Sequence, residues 1–155
     1  VRTVVKYEVN ALPKQCAIDY VLRLKERIIN QSFSYPALNK DYTKWKDEHY
    51  PSAKTFWHLG GDLVKAITVL PLGKNTWAGT IQGGVQDSGG KSYFRDSSTE
   101  ILKYALILES GYKGLKYTIP ARPLFVPTGE TYITLDYPTR LLETKRNIMR
   151  KWVLK

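Results

Sequence analysis

One cysteine in 155 residues leaves no route to an intrachain disulfide and no cysteine-based metal cluster. Histidine is nearly as scarce. His49 and His58 stand nine residues apart, whereas metal sites draw several ligands at tight spacing. No Ser-His-Asp or Cys-His arrangement is legible in the chain order. No apolar run approaches the roughly 20 residues that span a bilayer. The first residues, "VRTVVKYEVNALPKQ", lack the basic-then-apolar layout of a secretory signal. These absences lead to the expectation of no catalytic residue, no metal, no cofactor and no membrane, with synthesis in a cytoplasm.

Acidic residues are also in short supply: 14 Asp and Glu against 24 Lys and Arg, a formal charge of +10. The excess is uneven. Residues 139–155, "TRLLETKRNIMRKWVLK", set six bases against the single acid Glu143, half of the net charge. Such a run suits contact with an anionic partner, either nucleic acid or an acidic protein surface, and equally a solvated helix face.

What is present segments readily. Residues 12–30 carry Ala17, Val21, Leu24 and Ile28 at helical spacing, which predicts an amphipathic core helix with Asn10 as its cap. Residues 31–58 hold Tyr35, Tyr42, Trp45, Tyr50, Phe56 and Trp57 without clear periodicity, and read as a long aromatic loop, with one helical turn after Pro36, ordered by a partner. Residues 62–70 and 76–86 read as two strands joined through "PLGKN". Ser97-Ser98-Thr99-Glu100 is a capping-box pattern, and the helix that follows presents Ile101, Ala105 and Leu108 on one side and ends at Gly111. A short strand pair is expected around "LKYTIPARPLFV", and a basic helix over 138–153 with Leu141, Leu142, Ile148, Met149, Trp152 and Val153 on one stripe opposite its bases. The expected fold is α+β: an antiparallel sheet of about four strands, packed by N- and C-terminal helices, in one domain over 1–155.

The nearest approach to a phosphate-binding loop is "GVQDSGGKS". The G-x-x-x-x-G-K-[ST] pattern requires glycine at the position of Val85, and Gly84 falls one residue too early. A flexible hairpin loop is the better reading.

Four segments in series now become informative: "YPALNKDYTKWK" (35–46), "LGGDLVKAIT" (59–68), "YALILESGYK" (104–113) and "IPARPLF" (119–125). Together they resemble the bacteriophage virion-morphogenesis and tail-completion proteins, the group that forms neck or head–tail joining rings. Gly60 stands where that family often has threonine, and Leu124 separates Pro123 from Phe125 where proline is usually followed by phenylalanine. The resemblance implies a non-enzymatic structural protein of the virion neck, forming a ring between the connector and the tail. Its partners would be further copies of itself, a portal-side adaptor, and tail terminator or tail tube proteins, with non-specific proximity to DNA in the channel. It also draws attention to Pro120, Arg122, Pro123 and Phe125, with Trp45 and Trp57, as subunit-interface candidates.

Pro120 and Pro123 set their own φ and push Ile119 and Arg122 toward extended geometry, so this stretch reads as a stiff ribbon. Arg122 is then either part of a bend inside the fold or a contact to a neighbouring subunit. Arg140, Lys145, Arg146, Arg150 and Lys151 form the expected basic surface. Three alternatives stand beside the neck ring: a tail terminator, a nucleic-acid-binding module using the C-terminal helix, and a small nuclease-like enzyme built from the loop 41–58.

Overall fold

A computed structural model describes residues 2–32, 34–49, 62–82, 97–114 and 118–153. Helix α1 (Arg2–Asn30) is the longest element, and the first hairpin and the C-terminal helices pack on it. The spacing of Ala17, Val21, Leu24 and Ile28 puts all four on one face, and all four are buried. The helix begins some ten residues before the expected start, so Asn10 lies inside it instead of capping it, and Pro13 is interior as well. The reason is tertiary. Glu8 is bonded by Lys151 and Tyr7 lies under the same ammonium, so the extra turns are held by the far end of the chain.

Helix α2 (Lys40–His49) occupies the middle of the segment expected to be a loop. Its start is marked by Asn39, whose side chain accepts a hydrogen bond from the Asp41 N–H at 2.8 Å and whose carbonyl receives the Thr43 N–H at 2.9 Å. Next, α3 (Asp62–Ala66) replaces the start of the expected strand. Leu63 and Ala66 are both buried, and a three-residue spacing serves one helical face but opposite faces of a strand. The hairpin of β1 (Ile67–Gly73) and β2 (Thr76–Ile81) follows, pairing Ile67 with Ile81 and Val69 with Gly79. Gly79 lets this hairpin lie directly on α1: a Cβ there would stand 2.8 Å from Tyr20 Cδ1 and 2.9 Å from Val21 Cγ2.

Helix α4 (Ser97–Ser110) buries Ala105 and Leu108, in line with its predicted face. It stops at Gly111, whose φ of +77° is the left-handed turn a glycine cap provides. Strands β3 (Tyr112–Lys113) and β4 (Thr118–Ile119) make a second, minimal hairpin. The architecture is α+β, but among the described residues the expected sheet of about four strands is replaced by two separate two-stranded sheets. The core explains this: Leu24, Ile28, Leu63, Ala66, Ile67, Ala105, Leu108 and Leu124 form one cluster drawn mostly from helices, so no wide sheet face is needed to cover it.

The chain ends in a continuous helical run: α5 (Phe125–Thr131), a π-helical turn (Tyr132–Asp136) and α6 (Tyr137–Val153). Pro138 accounts for the wide turn. Its ring would press on the Thr134 carbonyl in a regular helix, and the π turn, with the Tyr137 N–H donating to the Tyr132 carbonyl, opens the backbone just ahead of it.

Gly111 is the tightest backbone contact in this arrangement. An added Cβ would lie 2.8 Å from the Ala121 backbone nitrogen and 3.0 Å from the Ile119 carbonyl oxygen, at a φ that costs an L-residue about 1–2 kcal/mol. Gly111→Ala should therefore lower the urea midpoint by more than that φ penalty alone implies, whereas Gly73→Ala, with only ordinary contacts, should change it little.

Candidate functional site

The proline ribbon between β4 and α5 is held from four directions. The Arg122 N–H donates to the Leu108 carbonyl at 2.6 Å, the Tyr35 hydroxyl donates to the Pro123 carbonyl, and the Tyr20 hydroxyl to the Phe125 carbonyl at 3.0 Å. The fourth hold is Glu109. One of its oxygens receives the N–H groups of Leu124 (2.7 Å) and Phe125 (3.1 Å), and the other that of Val126 (3.2 Å). Helix α5 starts at a leucine that cannot cap it, so a carboxylate from the last turn of α4 supplies the acceptors and meets the positive end of the helix dipole.

Within this ribbon Pro120 and Pro123 are exposed, whereas Arg122 is only 5% exposed and Phe125 packs against the core cluster. Arg122 is thus enclosed by its own subunit, on the side of the bend reading. Its guanidinium acts electrostatically on Tyr42 and Lys46, one turn apart on α2. Lys46 is also only 5% exposed. Burial pushes its ammonium down to about 8; Asp47 opposes that shift and Arg122 adds to it.

Three ion pairs join α1 to the C-terminal run. Arg23 grips Asp136 with two hydrogen bonds, Nε to Oδ2 at 3.0 Å and Nη2 to Oδ1 at 2.6 Å. Arg140 grips Asp19 in the same way, at 2.6 and 2.8 Å. Lys151 pairs with Glu8. Four residues down α1, from Arg23 to Asp19, match four residues up the run, from Asp136 to Arg140; eleven down to Glu8 match eleven up to Lys151. The two helices are antiparallel in constant register, with the pairs as rungs. Below the central rung the Tyr132 hydroxyl is buried beside Cys16, and burial raises its pKa above the ordinary tyrosine value.

The ladder decides which way α6 faces. Arg140, Thr144 and Ile148, spaced four apart, are half-buried against α1, and Lys151 continues that face. Most of the predicted apolar stripe is left open, although Ile148 joins the face against α1: Leu142 is 55% exposed, Met149 52% and Trp152 58%, with Leu141 also open. Val126, Ile133 and Leu135 extend the exposed apolar surface back along α5 and the π turn. The helix docks through an edge formed by Arg140, Thr144, Ile148 and Lys151, and leaves most of its apolar arc outward together with Lys145, Arg146 and Arg150, unlike ordinary amphipathic packing.

The expected basic surface is divided by the same fact. Arg140 and Lys151 are engaged by acids of α1, and Arg140 also bonds Glu143 at 3.0 Å. Lys145, Arg146 and Arg150 remain exposed, and among the described residues none of them forms an ion pair. The side chain of Trp45 and the whole of Trp57, His58 and the glycine-rich segment 83–92 lie outside the described residues. Among the described residues no group of three or more His, Cys, Asp or Glu is placed to hold a metal, and no helix is long and apolar enough to cross a membrane. An open groove of about 520 Å³ along α2, between Leu38 and Glu48, mixes lysines with carboxylates.

Sequence reasoning passed over Glu109, Asp19, Glu8 and Asp136. A signal for two of them existed: Glu8 and Asp19 are eleven apart, as are Arg140 and Lys151, so two antiparallel helices would bring both pairs together at once. No protein family, curated protein or solved structure matches this chain.

Lys46 gives a pH signature. Below about pH 8 folded and unfolded chains both carry its proton, and the cost of burying the charge is felt in full. Between about 8 and the ordinary 10.5 the folded chain has released that proton while the unfolded chain keeps it, so stability rises with pH. Urea unfolding at about pH 7 and about pH 9.5 should show the wild type gaining about 1–3 kcal/mol relative to Lys46→Met across that interval.

Proposed function

We propose that this chain is a non-enzymatic assembly subunit and, following its motif series, a ring-forming component of a tailed-phage neck that joins the DNA-filled head to the tail. The observation that carries the assembly reading is the docking of α6, which leaves most of its apolar arc open. Three large apolar side chains, Leu142, Met149 and Trp152, are each more than half exposed on a helix that its own fold holds by ion pairs. Covering the exposed half of each would contribute about 1–1.5 kcal/mol. A fold that only needed to be stable would turn such residues inward.

The locked ribbon supports the same reading. Glu109, Tyr35 and Tyr20 hold the segment that leads into the C-terminal run, so the displayed face is presented by a rigid support. A ring built from it would use heterologous contacts that close by rotation. Nucleic-acid binding by α6 has less behind it, because two of the five helix bases are engaged by acids of α1 and the surface beside the others is apolar.

The test is complementation of head–tail joining in extracts lacking this protein, with Leu142→Ser/Met149→Ser compared with wild type. The double variant should keep its circular dichroism spectrum and melting temperature, since both side chains are exposed, and should lower joining by about tenfold or more. Joining at the wild-type level by the folded double variant would refute the proposal.

A further inference from the structure

We infer that the outer face of α6 receives an acidic amphipathic helix from a different protein. The inference rests on the assembly reading and adds the chemistry of the partner. Leu142 and Met149 lie seven residues apart, close to one stripe of a helix that turns every 3.6 residues, and Leu141 and Trp152 flank them. Arg146 and Arg150 border that stripe on one side, and Lys145 stands on its other side, within the apolar arc between Trp152 and Met149. The face is therefore an apolar arc with two arginines along one margin and a lysine set inside it. Its one nearby acid, Glu143, is bonded to Arg140 at 3.0 Å. A helix with leucines on its contact stripe and glutamates beside them matches this pattern position for position.

Other occupants fit less well. A second copy using the same face across a two-fold axis would set Arg146 and Arg150 against their own counterparts, with no acid on that face to offset them. The carboxylates of α2, at Asp41, Asp47 and Glu48, are interleaved with Lys40, Lys44 and Lys46, and α2 holds no leucine to meet Leu142 and Met149. Duplex DNA would satisfy the three bases but leave the apolar row uncovered. A lipid surface would have to take Lys145 down with the apolar arc in which it stands, whereas a protein partner can place a carboxylate there.

The experiment uses the full chain and two labelled designed peptides of about three heptads, each with leucines at the contact positions, one flanked by glutamates and the other by lysines. Fluorescence anisotropy should show the glutamate peptide binding about tenfold or more tighter than the lysine peptide, with the margin shrinking as salt is raised. Arg146→Glu/Arg150→Glu should reverse the preference without altering the fold, and Leu142→Ser/Met149→Ser should weaken both peptides. Equal binding of the two peptides, or none, overturns the inference. So does binding to duplex DNA or phosphatidylserine vesicles that the charge reversal abolishes while the glutamate peptide stays unbound. Light scattering and the joining assay separate the two levels. Failed peptide discrimination with assembly intact removes only this inference. Peptide discrimination without any assembly role removes the neck reading and leaves an acidic-helix receptor.

Discussion

Burial of one stripe on α1 is the constraint on which the rest of the molecule depends. Ala17, Val21, Leu24 and Ile28 line a single face, and the hairpin, the loop into α5 and the end of α4 all reach the core through contact with them or with residues packed beside them. The hairpin approaches closely only because Gly79 has no side chain to hold it off. Leu24 and Ile28 are fully buried, each placing about 1.5–3 kcal/mol of transfer free energy at the point where the elements converge.

From that stripe the opposite side of α1 is free to do something else. It carries Glu8, Asp19 and Arg23, and these take hold of Lys151, Arg140 and Asp136 in a constant antiparallel register. Partly exposed ion pairs of this kind contribute modest stability, but two of them are two-pronged and directional, so they orient more than they stabilise. Their effect is to fix the rotation of α6 about its own axis. With the edge that carries Arg140, Thr144 and Ile148 turned to α1, Leu142, Met149 and Trp152 are left outward. The exposed surface is thus a consequence of register and not of weak packing.

The ribbon through Arg122 answers a different need. Between a helix that must stop and one that must start, the chain has to turn with few free backbone donors, and two prolines remove two of them. Four of the remaining ones are placed: Arg122 N–H on Leu108, and those of Leu124, Phe125 and Val126 on Glu109. Arg122 itself is buried within electrostatic reach of Lys46 instead of lying at the surface.

Periodicity and caps made several elements legible in advance. The core face of α1, the Ala105–Leu108 face of α4 and its glycine stop, the first hairpin and the extent of α6 follow from local rules, because side-chain spacing and left-handed turns are properties of a few neighbouring residues. The first turns of α1, the rise of α2 within an aromatic stretch, the reduction of one sheet to two small ones and the helix at 62–66 were not legible, since each depends on which distant group lies alongside. The same division runs through the candidate site. That α6 has an apolar side and a basic side was written in its sequence. Which edge of the helix turns inward was decided by acids more than a hundred residues away on α1, because their ion pairs with Arg140 and Lys151 set a rotation different from the one its hydrophobic pattern alone would have chosen.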